Sequence, residues 1–108
     1  MLHRIRKIID IAPYTITCEW TNGEVRAIHM ENKLKEWADE PDSVYKKLRD
    51  HDTFLQVKLD PDSKTLYWNG LMQMMDVSGN LFDTVLDIDP EVLYEMSALV
   101  NNQGSIAA

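Results

Sequence analysis

The chain has 108 residues, 44% hydrophobic and 27% charged, with a formal net charge of −7, a size that bounds it to one domain with a single core. No apolar run approaches the ~20 residues a bilayer-spanning helix needs, and four glycines leave little room for a glycine-rich phosphate loop. All 11 basic residues lie in residues 1–64, while 65–108 carry only Asp76, Asp83, Asp87, Asp89, Glu91 and Glu95, an acidic half that disfavours phosphate backbones and suits protein or cationic partners.

The N-terminal run from Met1 to Asp10 is basic and then apolar. Asp10 interrupts it too soon for the core of a signal peptide. Ile5, Ile9 and Ile11 alternate as a first strand that Pro13 breaks. Tyr14, Ile16, Cys18 and Trp20 then share one face, with Thr15, Thr17 and Glu19 on the other, which is the period of a half-buried strand. Thr21-Asn22-Gly23 supplies a hairpin turn, and residues 24–29 return as a third strand, completing a meander.

Over 31–52 the period changes. Leu34, Trp37 and Ala38 have helical spacing behind Asn32 as a cap. Pro41-Asp42-Ser43 starts a second helical stretch with Val44 and Leu48 on one face and Lys46, Lys47 and Arg49 on the solvent side. Residues 54–59 alternate as a strand, Asp60 to Lys64 form a turn by composition, and Thr65 to Trp68 complete a second hairpin. Asn69-Gly70 reads as another turn. Leu71 to Met75 reads as a short strand broken at Ser78-Gly79-Asn80, and 81–88 stays open between strand and extended loop.

The end of the fold is better specified. Asp89 can accept hydrogen bonds from a first helical turn, Pro90 suits the first helical position, and Glu91 complements the helix dipole. Val92, Met96, Leu99 and Val100 predict an apolar stripe on one docking helix. Residues 101–108 read as a flexible tail, so residues 1–100 form the single domain.

Candidate chemistry is sparse. His3, His29 and His51 sit in different elements without the spacing of a helical zinc site. Cys18 is the only cysteine, so it makes no internal disulfide, which points to the cytoplasm. It lies on an apolar strand face beside Glu19, the setting of a small buried hydrophobe rather than a reactive thiol. Asp60-Pro61-Asp62-Ser63-Lys64 fails as a calcium loop, because Lys64, Thr65 and Leu71 stand where an oxygen ligand, a glycine and a bidentate acid belong. Asp83, Asp87 and Asp89 could supply an acid/base pair only by converging with His29 and His51. The basic residues Lys33, Lys35, Lys46, Lys47 and Arg49 are interleaved with Glu31, Glu36, Asp39, Glu40, Asp42 and Asp50, a mixed surface rather than a basic stripe. The methionines of 71–75 suit either core packing or an adaptable binding surface.

At Gly23-Glu24-Val25, Phe54, Tyr67-Trp68-Asn69-Gly70 and the run from Asp87 to Tyr94, the chain resembles the bacterial family called domain of unknown function 2442. The resemblance covers roughly residues 3–97 and rests on the order and spacing of these motifs. In compact members the Trp-x-Asn-Gly turn runs almost directly into the Asp-Pro helix, whereas residues 71–86 intervene here as an extra hairpin or loop. The resemblance implies an α+β fold, no established enzyme activity and no catalytic residues to carry over. Some relatives continue into a helix-turn-helix domain, for which this chain ends too early. An antitoxin-like role has been suspected for the family.

The expectation is therefore an α+β fold: a small antiparallel sheet built from two or three hairpins, with a helical segment between them and a C-terminal helix packed on it. The expected function is a non-enzymatic, cytoplasmic protein-interaction module, antitoxin-like on the family analogy, with a basic protein partner, no membrane and no cofactor, metal or catalytic residues. A DNA-associated regulator acting through 33–49 and a small-molecule-binding protein or enzyme are the alternatives. Sheet edges leave a homodimer open.

Overall fold

The computed structural model describes residues 2–39 and 43–100. The expected tail at 101–108 and the Pro41-Asp42 helix start lie outside these. The fold is α+β, with strands in two antiparallel sheets. In the first, β1 (Ile5–Ala12), β2 (Thr15–Trp20), β3 (Val25–His29) and β7 (Ser97–Leu99) lie side by side in that order. In the second, β5 (Leu66–Met75) lies between β4 (Lys58–Leu59) and β6 (Leu81–Asp87). Helix α1 (Glu31–Trp37), a 3-10 helix (Val44–Arg49) and α2 (His51–Phe54) connect the sheets, and α3 (Pro90–Met96) precedes β7.

The meander follows its pattern. Ile16, Cys18 and Trp20 of β2 are buried, while Thr15, Thr17 and Glu19 are half-exposed on the other face. Gly23 takes the left-handed conformation at φ 91°, and the Asn22 side chain accepts from the Glu24 N–H at 3.0 Å, closing the turn. In β1 the expected face is corrected. Ile5, Ile8 and Ile11 pack on the core and Ile9 is exposed. Two register irregularities, between Ile5 and Lys7 and between Ile8 and Asp10, each reset the alternation.

Two helical expectations and one strand expectation also change. Helix α1 begins at Glu31 with Met30 as N-cap and no side-chain cap, so Asn32 lies inside the helix. Met30 is fixed instead by burial and by donating its N–H to the Tyr14 carbonyl at 2.8 Å. The second helical stretch is a 3-10 helix in which Ser43 Oγ accepts from the Tyr45 N–H at 3.2 Å. Leu48 is buried, Val44 is half-buried, and Lys46, Lys47 and Arg49 lie outward as expected. The strand expected over 54–59 shrinks to Lys58–Leu59. Asp50 accepts from both the N–H and the hydroxyl of Thr53 and so caps α2, which draws Phe54 into a helical turn.

Trp20, Trp68, Phe54, Leu48 and Leu93 form the centre of the core. The Trp68 indole N–H donates to the Phe54 carbonyl at 3.1 Å, so its polar edge is satisfied where the ring is buried. The turn from Asp60 to Lys64 forms as composition indicates: Asp60 Oδ1 accepts from the N–H groups of Asp62 and Ser63.

The C-terminal helix starts as read, with Asp89 Oδ1 accepting from the Glu91 N–H at 2.8 Å and Pro90 in the first turn. It ends at Met96, and the expected stripe through Leu99 and Val100 does not form as helix. Leu93 takes the buried position, while Val92 and Leu99 are exposed. The open edge of β3 competes for this backbone. Ser97 and Ala98 pair with Ile28 and Ala27, and Val100 donates to the Val25 carbonyl at 2.8 Å. Arg26 holds the switch point by donating to the Ser97 hydroxyl at 2.6 Å and carbonyl at 3.1 Å. Among the described residues, no helix is long and apolar enough to cross a membrane.

Candidate protein-interaction surface

Residues 71–86 form the far half of a long β5–β6 hairpin. Asn69-Gly70 is not a turn, which corrects the sequence reading. The strand runs through it, with the register shifting between Trp68 and Met72 and Gly70 at φ 70°. This is a bulge, in which glycine accommodates the left-handed backbone. Extra residues in β5 oppose Val85, and regular pairing resumes from Met72↔Thr84 to Met75↔Leu81. At about 3.3 Å per residue, the part beyond the bulge projects on the order of 15 Å. We call it the arm.

Its tip is built by one carboxylate. Asp76 Oδ1 accepts from the N–H groups of Ser78 and Asn80, both at 2.9 Å, and the Asp76 N–H donates to the Asn80 carbonyl. Gly79 supplies the positive φ of 87°. These backbone donors, Asn80 foremost, hold the Asp76 carboxyl below its ordinary range.

The arm's two faces follow from the register. Leu86, Thr84 and Phe82 alternate on one face of β6, opposite Trp68, Met72 and Met74. Along this face burial fades outward. Trp68 and Leu86 are buried, Met72 and Thr84 are half-buried, and Met74 and Phe82 are 52% and 47% exposed. The core stripe thus runs out of the domain into solvent. The other face carries Leu81, Asp83, Val85, Gln73 and Met75, with Leu81 and Met75 exposed by 62% and 64%. Val77 at the tip is fully exposed. A contiguous group of exposed apolar residues on a projecting element marks an interaction site more than scattered ones do.

The arm's root is fixed. Lys47 Nζ donates to the Leu71 carbonyl at 2.8 Å, beside a groove of about 260 Å³ lined by Ser43, Val44, Met72 and Gln73. A larger open groove of about 480 Å³ lies between Arg4, Asp62, Ser63, Asp87 and Asp89. Two of its members are engaged elsewhere: Asp89 caps α3, and Arg4 lies 3.7 Å from Glu91.

The other residues singled out from sequence separate into different settings. His3 stacks on Tyr94 at 3.6 Å and contacts Glu91 through Nδ1 at 2.7 Å. His29 lies 3.4 Å from Thr15 Oγ1, and His51 meets Tyr14 edge-on. Asp83 pairs across the arm with Gln73. Cys18 is fully buried, and burial pushes its thiol up to about 12. Among the described residues, no group of three or more His, Cys, Asp or Glu is placed to hold a metal ion. Within 31–50, Lys33 pairs with Glu36 at 3.6 Å, and Lys47 serves the arm's root.

Sequence reasoning missed one polar cluster. The Tyr94 hydroxyl donates to Glu24 at 2.5 Å, Arg26 stacks over the Tyr94 ring at 4.2 Å, and Trp20 meets that ring edge-on at 5.1 Å. Glu24 is thereby held below the ordinary carboxylate range, first by Tyr94 and then by Asn22. Its members lie too far apart in sequence for any local pattern to connect them. Compared with protein-family models, curated proteins and solved structures, the chain matches none.

Proposed function

We propose that this chain is a non-enzymatic protein-interaction module of the cytoplasm that engages its partner through the β5–β6 arm. The observation that carries the reading is the exposed apolar face of Met74 and Phe82, continuous with the core face of Trp68 and Leu86. Exposing such a stripe lowers no energy in the free protein, whereas covering it recovers about 25 cal/mol per Å² of apolar surface. Residues 66–87 also carry Asp76, Asp83 and Asp87 with no Lys or Arg, which favours a partner with basic residues around an apolar patch. The cytoplasm suits a chain whose single cysteine is buried as a thiol. The family resemblance stands beside this reading as a proposal, and so does an antitoxin-like role, in which the arm would cover a basic site on its target.

The test is capture from host lysate, with and without nuclease, by the wild-type chain and by the Met74→Ser/Phe82→Ser variant. The expected result is a stoichiometric protein retained by the wild type and lost by the variant at unchanged thermal midpoint. Equal retention by both proteins rejects the arm as the site. Recovery that vanishes with nuclease transfers the reading to nucleic acid.

A further inference from the structure

Sheet edges are where an extended chain can add a strand, and this fold treats its edges unequally. β7 has three residues and β4 has two. β1 is broken by two register irregularities and carries Arg6, Lys7 and Asp10. On β5, Lys47 donates to the Leu71 carbonyl inside the bulge, and beyond it only Gln73 and Met75 face outward. β6 is different. It is seven residues long, contributes no extra residue to the bulge, and forms one edge of its sheet along its whole length among the described residues.

The register identifies which backbone groups it leaves open. Ile88 donates its N–H to the Leu66 carbonyl, and hydrogen bonding in an antiparallel pair alternates along a strand. Leu86, Thr84 and Phe82 therefore address β5, while Leu81, Asp83 and Val85 present N–H and C=O groups to the outside. Asp87 pairs with Tyr67 on the inner side of the bulge, so the stretch of this edge that lies on the arm is Leu81–Val85.

We infer that the outer edge of β6 over Leu81–Val85 is a strand-addition site for an extended segment of a partner protein that alternates apolar and basic residues. This rests on the reading of the arm as the interaction surface and specifies its mode. The segment's side chains would lie beside Leu81, Asp83 and Val85 on one face, and beside Phe82 and Thr84 on the other. A lysine opposite Asp83 and aliphatic residues opposite Leu81 and Val85 complete cross-strand pairs of the favourable kind. The charge selects against a second copy as occupant. Two β6 strands paired edge to edge would bring together two arms that each carry Asp76, Asp83 and Asp87 and no cation.

The probe is the capped peptide Lys-Thr-Val-Thr-Lys-Ile-Val, with a version bearing Glu for Lys as control, added to the full chain and followed by residue-resolved amide exchange. The expected result is saturable binding with exchange at Leu81, Asp83 and Val85 slowed about tenfold or more. Val85→Pro removes an outward N–H without taking a bond from the β5–β6 ladder, and weakens binding about tenfold or more. Asp83→Lys keeps the backbone and reverses preference toward the Glu peptide, so it decides the matter if the proline variant does not fold. Binding that perturbs only Met74 and Phe82, with no slowed exchange on the edge, overturns strand addition but leaves the arm reading standing. Absence of saturable binding overturns strand addition, while the lysate capture independently judges the arm. Slowed exchange at these amides in the peptide-free chain, accompanied by dimerisation, assigns the edge to a second copy and also overturns the inference.

Discussion

Several single side chains have roles set by what their atoms touch. Asp76 is the clearest, since its carboxylate organises the arm's tip and its pKa is held low by the Asn80 and Ser78 N–H groups. A carboxyl lowered on folding contributes stability that is present above its unfolded pKa and lost as pH falls through the folded one. The tip's order should therefore persist at neutral pH and fade in acid below the ordinary carboxylate range. Asp76→Ala should produce the same loosening at pH 7, seen as faster amide exchange at Ser78 and Asn80 with the core unchanged. Cys18 has the opposite sign. Burial raises its thiol to about 12, so the folded chain should resist alkylation at pH 8, and modification should track global unfolding. Rapid alkylation of the native protein would show that the first sheet opens locally. The cysteine's burial was legible in the period-2 pattern of β2. The Tyr94–Glu24–Arg26 contacts were not, because they depend on α3 coming to rest against β3, a tertiary event without a local signal.

At the scale of elements, strong local chemistry survived and weak periodicity yielded to edges and bulges. The Asn22-Gly23 turn and the Asp89-Pro90 helix start are fixed by the dihedral freedom of one glycine and the hydrogen bond of one carboxylate. Asp89→Ala should cost about 1 kcal/mol of unfolding free energy through loss of the cap, measurable by denaturant titration. Where α3 ends was not readable. Val92, Met96, Leu99 and Val100 had helical spacing, yet the unpaired side of β3 captured Ser97–Leu99. Asn69-Gly70 likewise has the composition of a turn, but pairing with β6 resumes beyond it and turns it into a bulge. The arm, which is the candidate site, was only half legible. Its methionines were recognisable as adaptable, while 81–88 had no decisive period because both of its faces carry apolar residues.

Across the whole molecule, one core joins the two sheets through Trp20, Phe54, Trp68 and Leu93, and the arm stands outside it. Core and arm should therefore respond differently to substitution. Leu93→Ala should cost about 2–5 kcal/mol and lower the midpoint of a single cooperative transition. Met74→Ser/Phe82→Ser should leave that midpoint nearly unchanged, since these side chains are already about half in solvent. Such a division of stability and recognition between body and arm is the central claim. It is tested most directly by placing a photo-crosslinking phenylalanine analogue at position 82 in the native host, with the same analogue at the exposed position of His29 as control. The expected result is a discrete adduct with another protein from position 82 and none from position 29. Adducts from position 29 with none from 82 would contradict the arm as the interaction surface.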